Sequence, residues 1–227
     1  VMVSVCIPVF NGEVYIENAI KSVISQSYKN IEIIVSDNCS TDDTLKIAKK
    51  FQDKVVICSR DKNYGAYDNF LFSIKCANGK YIMTMGVDDF LYPDSIEKLV
   101  NIIEKESSIV AIGTVLKVMP ETKYEVVVPK VYSIKNLIQI TCSRKKINYL
   151  ICGLWDRDVY RSEFGKLNLK FAHRGTSSDR ILVYSALYNN DIRYSVIDDL
   201  ILQKKYLDSR GNQAKLTSFY CSIMQCN

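Results

Sequence analysis

Apolar positions recur with two periods along the first hundred residues. Val3–Val9 is a largely apolar, β-branched run, closed by Pro8 and the Asn11-Gly12 turn signal. Ile16, Ala19, Ile20, Val23 and Ile24 then return at helical spacing. The same reading predicts buried strands at Ile31–Ser36, Val55–Cys58 and Tyr81–Met85. Ser40-Thr41-Asp42-Asp43 offers cap oxygens to a helix running to about Phe51. A third helix is expected over Tyr67–Ala77, ending near Asn78-Gly79. Pro93-Asp94 opens a fourth, with Asp94 expected in the cap position and Ile96, Leu99, Val100 and Ile103 on its apolar face. Four strand–helix units in succession imply an α/β fold with a mostly parallel central sheet flanked by helices on both faces.

The second half is less regular. Ile109–Val118 and Tyr124–Val128 read as strands, and Pro120 in their link suggests an antiparallel hairpin. Helices are expected at Lys135–Thr141, at Ser178–Leu187 with Ser177 or Ser178 as cap, and in the tail from Gly211. Ile192–Val196 and Leu200–Gln203 read as two strands, preceded by turn acids at Asp198-Asp199. With no repeat or linker, the expectation is one domain with two functional halves, 1–108 and 109–227.

Composition narrows the class. The chain has 227 residues, 48% hydrophobic and 24% charged, as soluble globular proteins do. No apolar run reaches the roughly 18 residues that cross a bilayer. The N-terminus has neither a basic start nor a cleavage pattern, so no secretory signal is expected. None of the eight cysteines forms a C-x-x-C pair and His173 is the only histidine, which argues against a zinc site. A reduced, cytoplasmic protein is expected. Net charge is +5, with residues 1–128 acidic on balance and residues 129–227 basic. The basic half suits either an anionic partner or a solvated face. No dense basic-aromatic stripe points to nucleic acid.

Parallel sheets bind ligands beyond the carboxyl ends of their strands. The residues to inspect are therefore Phe10–Glu13, Asp37-Asn38, Arg60–Gly65 and Gly86–Asp89. Asp88-Asp89 fits either a turn or a divalent cation shared with a diphosphate. Asp37 fits either an Asx turn or a carboxylate that reads a nucleoside. No phosphate loop of the G-x-x-x-x-G-K-[ST] type, no G-x-G-x-x-G and no G-x-S-x-G occurs.

Four motifs in order carry a resemblance. They are Val5-Cys6-Ile7-Pro8-Val9-Phe10-Asn11-Gly12-Glu13; Ile33-Ile34-Val35-Ser36-Asp37-Asn38-Cys39-Ser40-Thr41-Asp42-Asp43-Thr44; Asn63-Tyr64-Gly65; and Gly79-Lys80-Tyr81-Ile82 followed by Asp88-Asp89 and Pro93-Asp94. Together they resemble the family-two inverting glycosyltransferases of the GT-A fold. The resemblance implies that Pro8, Phe10, Asn11 and Glu13, with Asp37, cradle the nucleoside of a nucleotide-sugar, most often UDP. Phe10 would lie against the base, and Asn63 and Gly65 would line the same pocket. Asp88 aligns with the carboxylate of the DXD motif that holds Mn²⁺ or Mg²⁺. The first position of that motif is Gly86 here, a departure from the pattern. In the second half, Gly153–Arg161 resembles the segment before the acceptor site. Asp179 resembles the family's catalytic base at a helix start.

The expected function is transfer of a sugar from a nucleotide-sugar, with inversion, to a hydroxyl acceptor in glycan or polysaccharide synthesis. A glycan or lipid-linked acceptor is implied. Arg144-Lys145-Lys146 is either a solvated loop or a peripheral contact with the inner face of a membrane. The alternative is a non-catalytic sugar-nucleotide-binding protein with a degenerate metal motif. Trp155 fits a sugar platform or the core. His173 fits a phosphate or metal neighbour or a satisfied surface residue. Gln203-Lys204-Lys205-Tyr206 fits a diphosphate contact or a solvated strand end.

Overall fold

The computed structural model describes residues 1–118, 124–127, 152–165 and 194–205. The helices expected at Lys135–Thr141, Ser178–Leu187 and from Gly211 lie outside these residues, as do Asp179, His173 and Arg144-Lys145-Lys146.

β1 (Val3–Val9) leads into α1 (Ile16–Ile24), β2 (Ile31–Asp37), α2 (Thr44–Lys49), β3 (Val55–Ser59), α3 (Ala66–Cys76) and β4 (Tyr81–Thr84). These agree with the sequence pattern to within two residues at nearly every boundary. The reason is physical: all seven residues of β1 are buried, and a strand covered on both faces has to be an apolar run. α1 presents Ile16, Ala19, Ile20 and Val23 to the core and Glu17 and Lys21 to solvent.

β5 (Phe90–Leu91) precedes α4 (Ser95–Glu106), β6 (Val110–Val118), β7 (Tyr124–Val127), β8 (Leu154–Asp156), α5 (Arg157–Gly165) and β9 (Tyr194–Lys205). The strand order is β3-β2-β1-β4-β8-β6-β9-β5, with β7 on the outside of β6. The β3-β2-β1-β4 block is wholly parallel. Beyond it the sheet is mixed, with β8 antiparallel to both β4 and β6 and β9 parallel to β6. The hairpin expected around Pro120 is present as the antiparallel β6–β7 pair.

Two expectations need correction. The strands read as Ile192–Val196 and Leu200–Gln203 are one twelve-residue strand, β9. Asp198 and Asp199 are therefore not turn acids before a strand; they lie within β9 where its register against β6 slips, between the Val196–Ile112 and Leu200–Thr114 pairs. A bulge places extra residues in one strand without ending it, and period-two alternation cannot register that. Asp94 is also not a side-chain cap for α4. It pairs with Lys98 at 2.7 Å, while buried Gln26 accepts the Ile96 N–H at 3.2 Å from elsewhere in the chain.

Trp155 is fully buried, stacked on Tyr160 with ring centroids 5.4 Å apart. Tyr160 meets Phe70 of α3 edge-on, and its hydroxyl lies 3.0 Å from Thr84 Oγ1. Burial drives the Tyr160 pKa well above the ordinary phenol value. Of its two sequence readings, Trp155 takes the core one: it ties β8 and α5 to β4.

Candidate active site

The loops leaving β1, β2 and β3 emerge at one edge, because their strands run parallel and in register. Side chains lace them together. Asn11 adopts a left-handed backbone, φ 52°, which asparagine tolerates better than most residues. Its N–H donates to Ser40 Oγ at 2.9 Å, and its Oδ1 accepts the Thr41 N–H at 2.9 Å. The Gly12 N–H donates to Thr44 Oγ1 at 2.8 Å. Glu13 and the Asp42-Asp43 turn exchange bonds: the Glu13 N–H donates to Asp42 Oδ2 at 3.0 Å and Glu13 Oε2 accepts the Asp43 N–H at 2.9 Å. Burial raises the Asp42 pKa, but the Thr44 hydroxyl and the Glu13 and Thr44 N–H groups outweigh it and hold the carboxyl below its usual range. Asn11 and Glu13 thus spend side-chain oxygens on bracing the rim. Pro8 is buried beneath it, and Phe10 stands 42% exposed above it.

Asp37 ends β2 with 2% of its surface exposed. Its Oδ2 accepts the Ser40 N–H at 3.2 Å, which is the turn role the sequence allowed. Its Oδ1 is buried and has no hydrogen-bond partner among the described residues. A buried carboxylate oxygen without a donor is costly, so this atom points to a ligand that brings one.

Next to it, Asn38 performs a task that the sequence reading missed. Its Nδ2 donates to Asn63 Oδ1 at 2.7 Å and to the Gly65 carbonyl at 3.2 Å. Its Oδ1 accepts the Tyr64 N–H at 3.1 Å. Gly65, at φ 89°, takes a turn that a Cβ would strain. Asn63 and Gly65 are therefore brought to the Asp37 rim, held there by Asn38. Arg60 lies over the Tyr64 ring at 4.1 Å and the Phe72 ring at 4.6 Å, bracing the same segment. Asn69, in α3, also escaped notice: its Nδ2 donates to the Ser36 carbonyl at 2.8 Å and the Val9 carbonyl at 3.3 Å. An asparagine next to Phe70 and at helical spacing from Ser73, on the buried face of α3, was the available signal.

The fourth loop, Gly86–Asp89, follows β4 beside β1, where the Met85 N–H reaches the Cys6 carbonyl. Asp88 is half-buried and Asp89 is 4% exposed. Asp89 Oδ2 accepts the Gly86 N–H at 3.0 Å. A Cβ placed on Gly86 would lie 2.9 Å from Asp88 Oδ1 and 2.9 Å from Asp89 Oδ2, so two carboxylate oxygens converge over that Cα. Among the described residues no group of three or more His, Cys, Asp or Glu side chains forms a self-sufficient metal cage. Such a pair fits a hard divalent cation only when a diphosphate and water complete its oxygen shell. Asp88 and Asp89 also wall a cavity of about 310 Å³ against Tyr15, Asn18 and Ser22.

The two aspartates of the Gly153–Arg161 segment have structural tasks. Asp156 Oδ1 accepts the Asp158 and Val159 N–H groups at the start of α5. Asp158 pairs with Arg157 at 3.1 Å.

The parallel β-α block thus carries a carboxylate oxygen without a partner among the described residues and an acidic loop at the carboxyl ends of its strands, the edge at which such sheets bind ligands. The profile of glycosyl transferase family 2 matches residues 4–159, and the chain belongs to that family. It is 37% identical over 123 residues to an uncharacterized glycosyltransferase of Haemophilus influenzae, covering 53% of this chain and 38% of that protein. It is 37% identical over 107 residues to the Escherichia coli UDP-Glc:alpha-D-GlcNAc-diphosphoundecaprenol beta-1,3-glucosyltransferase WfaP, covering 46% of this chain and 42% of that one. The matched region is thus under half the length of either relative. The crystal structure of S. aureus TarS 1-349 in complex with UDP-GlcNAc superposes with TM-score 0.71 at 20% identity, over 92% of this chain and 60% of that one. Mannosyltransferase PcManGT from Pyrobaculum calidifontis, solved with GDP-Man and Mn²⁺, gives TM-score 0.62 at 13% identity, over 91% and 57%. These structures share the fold.

Proposed function

We propose that the chain is the catalytic region of an inverting glycosyltransferase that takes a UDP-sugar donor and a hydroxyl acceptor on a growing glycan or a lipid-linked saccharide. The observation that carries the donor assignment is Asp37 Oδ1, buried and unpartnered among the described residues, beside exposed Phe10. A nucleobase supplies both missing elements: N–H donors for the carboxylate and a flat face for the aromatic ring. The UDP-Glc in the name of WfaP and the UDP-GlcNAc bound to TarS support uridine as the base.

Phe10 and Asp37 bind and orient the nucleoside, with Asn63 and Gly65 closing the pocket under the hold of Asn38. Asp88 would hold Mn²⁺ or Mg²⁺ jointly with the diphosphate. Such a cation, when bound, neutralises charge that develops on the leaving oxygen. Asp179, outside the described residues, accepts the proton of the acceptor hydroxyl as that oxygen attacks the anomeric carbon from the face opposite the diphosphate. One displacement inverts the centre, so no protein nucleophile is needed.

The non-catalytic alternative rests on Gly86 and on the thinner resemblance of the second half. The packing of two carboxylates over the Gly86 Cα gives the glycine a reason of its own. Among the described residues no helix is long and apolar enough to cross a membrane. The proposed site of action is the cytoplasmic side, at the membrane face if the acceptor is lipid-linked.

The test is thermal unfolding against a panel of nucleotide-sugars with and without Mn²⁺, since a ligand of the folded state raises its stability. UDP-sugars should raise the midpoint, and more so with Mn²⁺. Equal shifts for every nucleotide, or none, would sink the donor assignment.

A further inference from the structure

Gly86 stands where the DXD pattern has a carboxylate, and its surroundings explain more than its tolerance. Its φ is not in the left-handed region, so conformation does not demand glycine there; space does. A Cβ would fall 2.9 Å from Asp88 Oδ1, 2.9 Å from Asp89 Oδ2 and 3.3 Å from Asp89 Cγ.

Asp89 closes the loop at both ends of residue 86. Its Oδ2 accepts the Gly86 N–H at 3.0 Å, and its own N–H donates to the Gly86 carbonyl at 3.1 Å. Only Val87 and Asp88 lie between, so this double tie sets the direction in which Asp88 leaves the backbone. The tie is also buried, with Asp89 4% exposed, and breaking it would strand a carboxylate away from water.

We propose that Asp89 is the positioning residue for the cation carboxylate Asp88, and that Gly86 must be glycine for that arrangement to exist. This rests on the cation role proposed for Asp88. The consequence runs against the family pattern: restoring a carboxylate at position 86 damages the site instead of completing it. A side chain there must displace one of two oxygens. Asp89 is anchored, so Asp88 turns away from the cation. An aspartate at 86 would also crowd a third carboxylate into the same few ångströms, where like charges repel.

The experiment titrates Mn²⁺ into metal-free protein with saturating UDP and reads free Mn²⁺ by electron paramagnetic resonance. Variants are Gly86→Asp, Asp89→Asn, Asp89→Leu and Asp88→Asn, each with its metal-free melting midpoint. Gly86→Asp and Asp89→Leu should weaken Mn²⁺ binding by about 10–100-fold, the range for losing a residue that orients a metal ligand. Asp89→Asn should stay near wild type, because its amide oxygen can still accept the Gly86 N–H. A Gly86→Asp protein that binds Mn²⁺ as tightly as wild type overturns the proposal. So does an Asp89→Asn protein that loses as much as Asp88→Asn, since Asp89 would then be a ligand itself. If wild-type protein with UDP takes up no Mn²⁺, the cation role fails on its own. The packing claim is then decided by Gly86→Ala without metal: a lowered midpoint sustains it and an unchanged one overturns it.

Discussion

Replacing Asp37 with alanine should separate stability from function. In the folded protein its two oxygens have opposite effects. Oδ2 accepts the Ser40 N–H at 3.2 Å, and losing that bond to a charged acceptor costs about 1.5–3 kcal/mol. Oδ1 is buried without a partner among the described residues, and removing such an atom returns about 1–3 kcal/mol of desolvation. The two nearly cancel, so Asp37→Ala should melt within a few degrees of wild type. With UDP bound the balance should change, because by the proposed role Oδ1 would gain a charge-assisted bond that alanine cannot make. The loss of about 1–3 kcal/mol weakens UDP by roughly 5- to 150-fold. Calorimetry with UDP and, in parallel, with pyrophosphate gives the readout. Selective loss for UDP supports nucleoside recognition. An equal loss for pyrophosphate, or a melt lowered by as much as the binding energy, would refute the reasoning.

Four further outcomes are expected. Asp88→Asn should bind UDP with an affinity that no longer responds to Mn²⁺, measured by the same calorimetry. Asp179→Asn should lose about 10²–10⁴-fold in transfer rate while UDP binding stays close to wild type; turnover above a tenth of wild type would move the base elsewhere. Asn38→Ala removes three side-chain bonds to residues 63–65, and should cost about 2–4 kcal/mol in denaturant unfolding and loosen UDP as well. Burial pushes the Glu32 pKa up, but donors on Ser4 and Asn78 outweigh it and leave the carboxyl below its usual range. Its stabilisation is therefore present above about pH 4.3, the unfolded value, and is lost as pH falls through the lower folded value, so Glu32→Gln should flatten the acid limb of the stability curve.

The parallel block was legible in the sequence because burial on both faces forces apolar runs, and the helices between them carry one apolar stripe each. β1 through α4 follow that pattern closely. β5 and β8 were not legible, at two and three residues. Pieces so short show no period and become strands only when a neighbour supplies the other half of the ladder. The bulge in β9 was hidden for a related reason: it depends on the register of β6, not on the residues that bulge.

The site divides in the same way. The sequence alone determined which residues stand beyond the strand ends, and motif order was enough to bring Phe10, Asp37, Asn63 and Asp88 forward. What each side chain does there was settled by partners distant along the chain. Asn11 and Glu13 face the turn after β2 about thirty residues away, and Asn38 holds a segment 25 residues away. Helix α4 takes its cap from Gln26 and not from its own Asp94. Trp155 fills the core because β8 inserts beside β4. The reason is that a hydrogen bond or a packed ring is a property of two groups in space. Sequence spacing reports such pairs only within one helix turn or one strand. Across loops, the tertiary fold decides which carboxylate is spent on the scaffold and which is left for a ligand.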